Sequence, residues 1–344
     1  MSKRKRQIPH PIVNGKEEAQ IKRLTTRYNK LISPNVIVRA GNKALAKAPT
    51  SVKEKANQCK TFISEREFII QALKMATTGY QKLNEIAAKV TISKKTAVKR
   101  INKRITDEEI SSFEEICLIR SYDIEKAVNR YRTSNILYAT GEGAITGAFG
   151  FTGIVPNIVA STFLFFRAVQ SIGTMYGYDV KNDPAEMEIA TNVFMSAISP
   201  KQDLKNNELT SAIGKFMVFS ETTTVKQTAN KTWTAMAERG GLSSIIAQIR
   251  ALANKSAAEA IKNAGIEGLE NNAFRRILEQ LGKRLSLKET IDVMPIVGGV
   301  FGAAFDAGQM SKITEYADIF YHKRFLEEKE ERIKDLNEND GCRE

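Results

Sequence analysis

Residues 143–166 read GAITGAFGFTGIVPNIVASTFLFF, 24 residues without a formal charge. A single apolar helix of that length would span a bilayer, so the fold turns on whether the stretch is one helix. Four glycines, four hydroxyl residues and the central pair Pro156-Asn157 argue that it is not, because lipid offers no partners to the polar groups they expose. Proline also disfavours helix at the residue before it. The stretch therefore divides into a glycine-rich piece and a second helix running from Pro156 through Phe163, Phe166, Val169 and Ile172 to Tyr176. Neither apolar piece reaches the roughly 20 residues needed to cross alone.

A matching element lies near the C-terminus, where Asp292 and Asp306 bracket VMPIVGGVFGAAF with a proline, Pro295, and closely spaced glycines. Gly143 and Gly147 stand four apart, as do Gly298 and Gly302, and Gly150 extends the small-residue row. That interval lets two helix backbones approach closely. The two glycine-rich helices are expected to cross in a soluble core; a membrane-dipping hairpin or a fixed anchor are the competing readings.

Around these segments apolar residues recur at three- and four-residue spacing with no sustained alternation, which predicts an all-α, multi-helix globular bundle with the two glycine-rich apolar helices at its core. Ser64 with Glu67, and Thr106 with Glu109, read as capping boxes, the second opening a helix through Phe113, Ile116 and Ile119. Asp183, followed by Pro184 and then Glu186, is the clearest start signal, and Gly177 is expected to close the preceding helix. Residues 200–225 and Arg239-Gly240-Gly241 read as breaks, with further helices near 241–264 and 269–284.

Charge is distributed unevenly. Residues 1–60 hold 15 of the 52 Lys and Arg but 3 of the 39 Asp and Glu, so nearly all of the net +13 sits there. The expected organisation is a basic, poorly ordered arm over 1–60, an all-α domain over 61–328 and a charged, exposed tail over 329–344. The opening Lys3-Arg4-Lys5-Arg6 lacks the apolar stretch of a secretory signal, so export by that route is not expected. Its partner would be an anionic surface, lipid headgroup or nucleic acid. Cys59, Cys117 and Cys342 make neither a disulfide framework nor a zinc site, which fits a reducing compartment.

A second basic feature is Lys95, Lys99 and Lys103, four residues apart and accompanied by Arg100 and Arg104. With the preceding Glu85-Ile86-Ala87-Ala88 the segment resembles part of a helix-turn-helix, yet its start, Ser-Lys-Lys-Thr, suits phosphate contacts better than base readout. The plainer reading is the solvated face of an ordinary helix. Histidine is restricted to His10 and His322, so no His-based triad or His-rich metal site can be assembled. The chain has no phosphate-binding or dinucleotide motif in strand context, and no small-molecule cofactor is implied. Glu142, Asp292 and Asp306, with Arg167 or Arg132 as counter-charges, are expected to cap and pair helices; a buried carboxylate site for acid–base work is the alternative.

One series of motifs is more specific in order than any member is alone: Gly141-Glu-Gly-Ala-x-Thr-Gly147, Gly153-x-x-Pro156, Tyr176-Gly-Tyr-Asp179, Gly282-Lys-Arg-Leu, Pro295-Ile-Val-Gly-Gly, Gly302-Ala-Ala-Phe-Asp306 and Tyr321-x-x-Arg-Phe-Leu326. The series resembles the EcsC family, bacterial proteins named after a gene beside two components of an ABC transporter. The resemblance covers roughly 65–328 and leaves 1–60 outside. It implies a helical domain with membrane-associated or transport-linked roles and carries no catalytic residues. Asn157 and Asp306 depart from the family pattern, as if an amide and a carboxylate had been exchanged between two positions that pair. The first functional expectation is a non-enzymatic cytoplasmic protein, peripheral at the inner membrane face, that contacts lipid or a membrane complex such as a transporter. A nucleic-acid-associated protein is the second reading, and an enzyme the third.

Overall fold

The computed structural model describes residues 4–5, 7–32, 70, 92–105, 108–141, 154–198, 273–279 and 303–341. Its helices are α1 (Gly15–Ile32), α2 (Lys94–Asn102), α3 (Ser121–Gly141), α4 (Ile154–Met175), α5 (Pro184–Ile198), α6 (273–279) and α7 (Ala303–Gly341), with a 3-10 turn over Glu114–Leu118. Two-residue strands β1 (Arg4–Lys5) and β2 (Glu108–Glu109) pair in parallel and are the β structure among the described residues. The expected all-α bundle is present.

The 39-residue α7 is the axis of the bundle, about 58 Å long at 1.5 Å per residue. It packs against α1, α3, α4, α5 and the 3-10 turn. Five consecutive positions from Ala317 to Tyr321 are buried, as are His322, Arg324 and Phe325. A helix enclosed on every side cannot send its charges to water, and each one needs an internal partner. This corrects the exposed reading of the tail at its start: Lys329 and Ile333 are buried, like Lys323, Arg324 and Glu328 before them, while Glu330, Lys334, Asp335, Asn337 and Glu338 are exposed.

Helix α4 supplies the other half of the core. Every described residue from Thr162 to Tyr176 is buried, with Phe163 edge-on to Phe274 of α6 at 5.1 Å and Phe166 edge-on to Phe194 of α5 at 5.8 Å. Pro156 sits in the first turn of α4, where a missing N–H costs nothing. At the far end the Tyr178 N–H donates to the Gly173 carbonyl and the Gly177 N–H to the Thr174 carbonyl, both 3.0 Å, with Gly177 at φ +83°. That is the Schellman closure, and it bears out the reading of Gly177. A Cβ on Gly177 would also lie 2.4 Å from the Arg332 guanidinium, which donates to the Tyr176 and Gly177 carbonyls. Gly177→Ala is expected to lower stability by about 2 kcal/mol, from left-handed strain and the displaced arginine, measured as a shift in the urea midpoint.

The start of α5 is as read. Asp183 Oδ1 accepts from Ala185 N at 2.8 Å and from Glu186 N at 3.4 Å. The Thr106–Glu109 box does not open a helix. Glu108–Glu109 is β2, and the reciprocal bonds lie further on, where Ser112 accepts from Glu115 N and Glu115 accepts from Ser111 N at the entry to the 3-10 turn. Phe113, Ile116 and Ile119 are all buried, and their spacing of three is the period of a 3-10 turn rather than of an α-helix.

The expected poorly ordered arm is corrected over 7–32. Asn14 caps α1 reciprocally with Glu17, Oδ1 accepting from Glu17 N at 3.0 Å and Oε2 from Asn14 N at 3.2 Å. Leu24 and Tyr28 are buried in the core, while Ile8 and Ile12 pack against Cys117, Leu118 and Ile333. The glycine crossing at Gly143, Gly147, Gly150, Pro295, Gly298 and Gly302 lies outside the described residues, as do Ser64, the segments 200–225 and 241–264, and the Arg239–Gly241 break. Asn157 and Asp306 are helical, each in the first turn of its helix, but their side chains and supposed pairing lie outside the description.

Candidate functional site

Two features concentrate charge: a buried network along α7 and an exposed basic face on α2. The network has two centres. At the first, Asp318 is fully buried and accepts three bonds, from the Tyr176 hydroxyl at 2.8 Å on Oδ1 and from Arg27 at 2.8 Å and Arg132 at 3.4 Å on Oδ2. Both arginines also bind Glu315. Burial raises the Asp318 carboxyl, but Arg27 and Arg132 outweigh it and hold the group below its ordinary value. Arg27 further reaches Glu125 at 3.3 Å, which is bound by Arg23 at 3.1 Å and Gln20 at 2.9 Å. Burial, then the Asp318 charge, pushes Glu125 up. Glu17 accepts from Lys329 at 2.8 Å, Ser121 N at 2.9 Å and Arg120 at 2.9 Å. These partners outweigh burial, so Glu17 is lowered.

The second centre is Arg324. Its guanidinium binds Glu186 bidentately at 2.6 and 2.7 Å, donates from Nε to Glu328 at 2.6 Å, and lies 3.9 Å from the centre of the Tyr178 ring. Glu186, three residues after the Asp183 cap, meets this arginine with both carboxylate oxygens. Tyr321, one turn earlier on α7, fits only because Gly173 lacks a side chain: a Cβ there would lie 2.8 Å from the Tyr321 Cζ.

His322 lies between these centres, fully buried, its ring stacked on Tyr176 at 5.4 Å, with neither nitrogen hydrogen-bonded among the described residues. Burial pushes it down to about 4, against the pull of Asp318. It is neutral at pH 7, and Asp318 has both oxygens occupied. The described residues include no cluster of His, Cys, Asp and Glu able to hold a metal ion. The arrangement neutralises charge inside a helical core.

The outward feature is different in kind. Ser93 caps α2 by accepting from Thr96 N at 3.2 Å, while Ala97 and Ile101 bury its inner face. Ile92 N donates to Ser171 at 3.2 Å, and Asn102 exchanges two bonds with the Ile110 backbone at 2.8 and 3.0 Å. Lys94 is drawn to Asp179 at 2.7 Å and Arg100 lies over the Tyr131 ring. Lys95, Lys99 and Lys103 remain exposed on one face, with Arg104 beside them. The pairing of Arg4 with Glu108 and Lys5 with Glu109 brings the backbone of the N-terminal basic run to the loop that follows. Lys3 and Arg6 lie outside the described residues, as does the first half of the supposed helix-turn-helix.

Sequence reading missed the interior pairs. Arg132 does serve as a counter-charge, but to Glu315 and Asp318; Glu142 and Asp292 lie outside the described residues. The available signal was aromatic company: Asp318, Arg324 and Lys329 stand among Tyr316, Phe320, Tyr321 and Phe325, a setting foreign to a solvated face. Asn14-x-x-Glu17 was likewise a legible capping box.

The described residues, helical apart from the short β1–β2 pair and cross-braced by buried ion pairs, define an all-α, multi-helix bundle. The chain belongs to the EcsC protein family, whose model matches residues 15–326. That match begins at the first residue of α1, so the family domain takes in part of the segment expected to lie outside it. The chain is also 25% identical over 242 residues to the uncharacterized protein YdbA of Bacillus subtilis (strain 168), covering 69% of this chain and 71% of that one. No solved structure matches.

Proposed function

We propose that this chain is a non-enzymatic peripheral protein that works at the cytoplasmic face of a membrane by contacting anionic lipid headgroups. The observation that carries the reading is the basic face of α2, where Lys95, Lys99 and Lys103 are all exposed with Arg104 beside them. The backbone of Arg4–Lys5 pairs with Glu108–Glu109, a few residues beyond the end of that helix. Each cation near an anionic bilayer contributes about 1 kcal/mol, so a useful affinity needs several held together. The α2 anchors hold this face rigid, and the ion pairs of the interior leave the surface as the place where charge meets a partner. Among the described residues no helix is long and apolar enough to cross a membrane, and the reading requires none.

The test is co-sedimentation of the full chain with phosphatidylglycerol and phosphatidylcholine vesicles, alongside a mobility-shift assay with duplex DNA. Sedimentation with the anionic vesicles alone, reversed by added salt, is expected. Binding to DNA without binding to vesicles would replace the lipid reading with a nucleic-acid one.

A further inference from the structure

Helix α1 has the two faces of an interfacial helix. Ile21, Leu24, Tyr28 and Leu31 form its apolar stripe; Leu24 and Tyr28 are buried against the body and Ile21 and Leu31 are half-buried. Tyr28 lies 6.0 Å from the Tyr316 ring of α7. The outward face carries Lys16, Lys22, Arg23 and Lys30 against the exposed acid Glu18, and with Arg27 and Glu17 of the docked face the freed helix would carry five cations against two acids. A basic polar face, a narrow apolar stripe and low net hydrophobicity suit a helix lying in the headgroup region of an anionic bilayer.

The contacts holding α1 to the body are mostly ionic. Glu17 binds Lys329 and Arg120, Gln20 and Arg23 bind Glu125, and Arg27 binds Asp318, Glu315 and Glu125. Opening the whole interface returns both members of each pair to water, so desolvation relieved offsets much of the attraction lost. Deleting one partner does not have that relief. Two fully buried apolar side chains are a small anchor for an 18-residue helix.

We infer that α1 is an exchangeable membrane anchor: on an anionic bilayer it leaves α7 and inserts Ile21, Leu24, Tyr28 and Leu31 at the acyl boundary, with Lys16, Lys22, Arg23 and Lys30 among the headgroups. The inference rests on the lipid reading above and adds a second contact with a conformational step. The single native tryptophan makes it testable. In a full chain carrying Trp233→Phe and Leu31→Trp, emission is recorded with phosphatidylglycerol vesicles whose acyl chains carry bromine. A blue shift and loss of emission are expected, with no change on phosphatidylcholine. Adding Arg27→Gln, which loosens the latch, should produce the same loss at lower lipid. Ile21→Trp serves as the reporter if Leu31→Trp does not fold. If the protein sediments with the anionic vesicles while both reporters stay unquenched, α1 remains docked and the inference falls while the lipid reading stands. If it does not sediment, both fall. Quenching unmoved by Arg27→Gln would overturn the ionic latch.

Discussion

Arg324→Met is expected to lower stability by about 3–5 kcal/mol, the cost of breaking a buried charge cluster from one side. Arg324 is fully buried, and Glu186 and Glu328 are 1% and 2% exposed. Methionine keeps most of the stem volume, so the loss is electrostatic: Glu186 loses its bidentate partner and Glu328 its Nε donor. The Tyr178 ring also loses the cation over its face. Both carboxylates would then have to take up protons or draw water into the core. Combining Arg324→Met with Glu186→Leu and Glu328→Leu removes all three charges and should recover most of the loss. Urea unfolding followed by circular dichroism measures both. A cost for the single variant below about 1 kcal/mol, the range of exposed pairs, would contradict the buried assignment.

Acidification should weaken the fold through His322. The unfolded chain binds a proton near the ordinary 6.5, whereas the folded chain, with the ring buried, resists until about 4. Between those values the unfolded state carries more protons, so stability rises with pH. The contribution is fully present above 6.5 and is lost as the pH falls toward 4, on the order of 3 kcal/mol across the window. Asp318 on α7 and Glu17 on α1 favour the charged ring, while Arg27 and Arg23 on α1 oppose it. Tyr176 of α4 stacks against it. Glu125 acts the other way: its raised carboxyl keeps a proton to a higher pH in the folded state than in the unfolded one, and that contribution declines as the pH rises above its ordinary value, flattening the acid end of the curve. Asp318 and Glu17, both lowered, add a further loss only below the ordinary carboxylate range. His322→Phe keeps a ring against Tyr176 and should flatten the slope between 6.5 and 4. An unchanged slope in that variant would assign the acid sensitivity elsewhere.

Local punctuation was legible in the sequence. Asp183-Pro184 and Gly177 act through backbone rules that need no distant partner, and the structure uses both where the reading put them. The helix expected near 269–284 appears over 273–279. What escaped is non-local. Glu17 meets Lys329 from 312 residues away and Arg324 meets Glu186 from 138, so neither pair leaves a periodic trace. A charged residue reads as a solvent signal, which is why α1 looked like an arm and the end of α7 like a tail. Thr106–Glu109 misled for a smaller reason: the same cap chemistry recurs at Ser112–Glu115, and the apolar spacing of three belongs to the tighter turn.

That non-local pairing consumes the interior charges and leaves Lys95, Lys99 and Lys103 outside, so their joint reversal is the most direct measurement of what the protein does. In the full chain, Lys95→Glu, Lys99→Glu and Lys103→Glu are all exposed changes and should leave the helical circular dichroism and unfolding midpoint unaltered. At about 1 kcal/mol per cation, losing three should weaken binding to phosphatidylglycerol vesicles by about 100-fold or more. Undiminished vesicle binding by the folded triple variant would contradict the basic edge as the membrane contact.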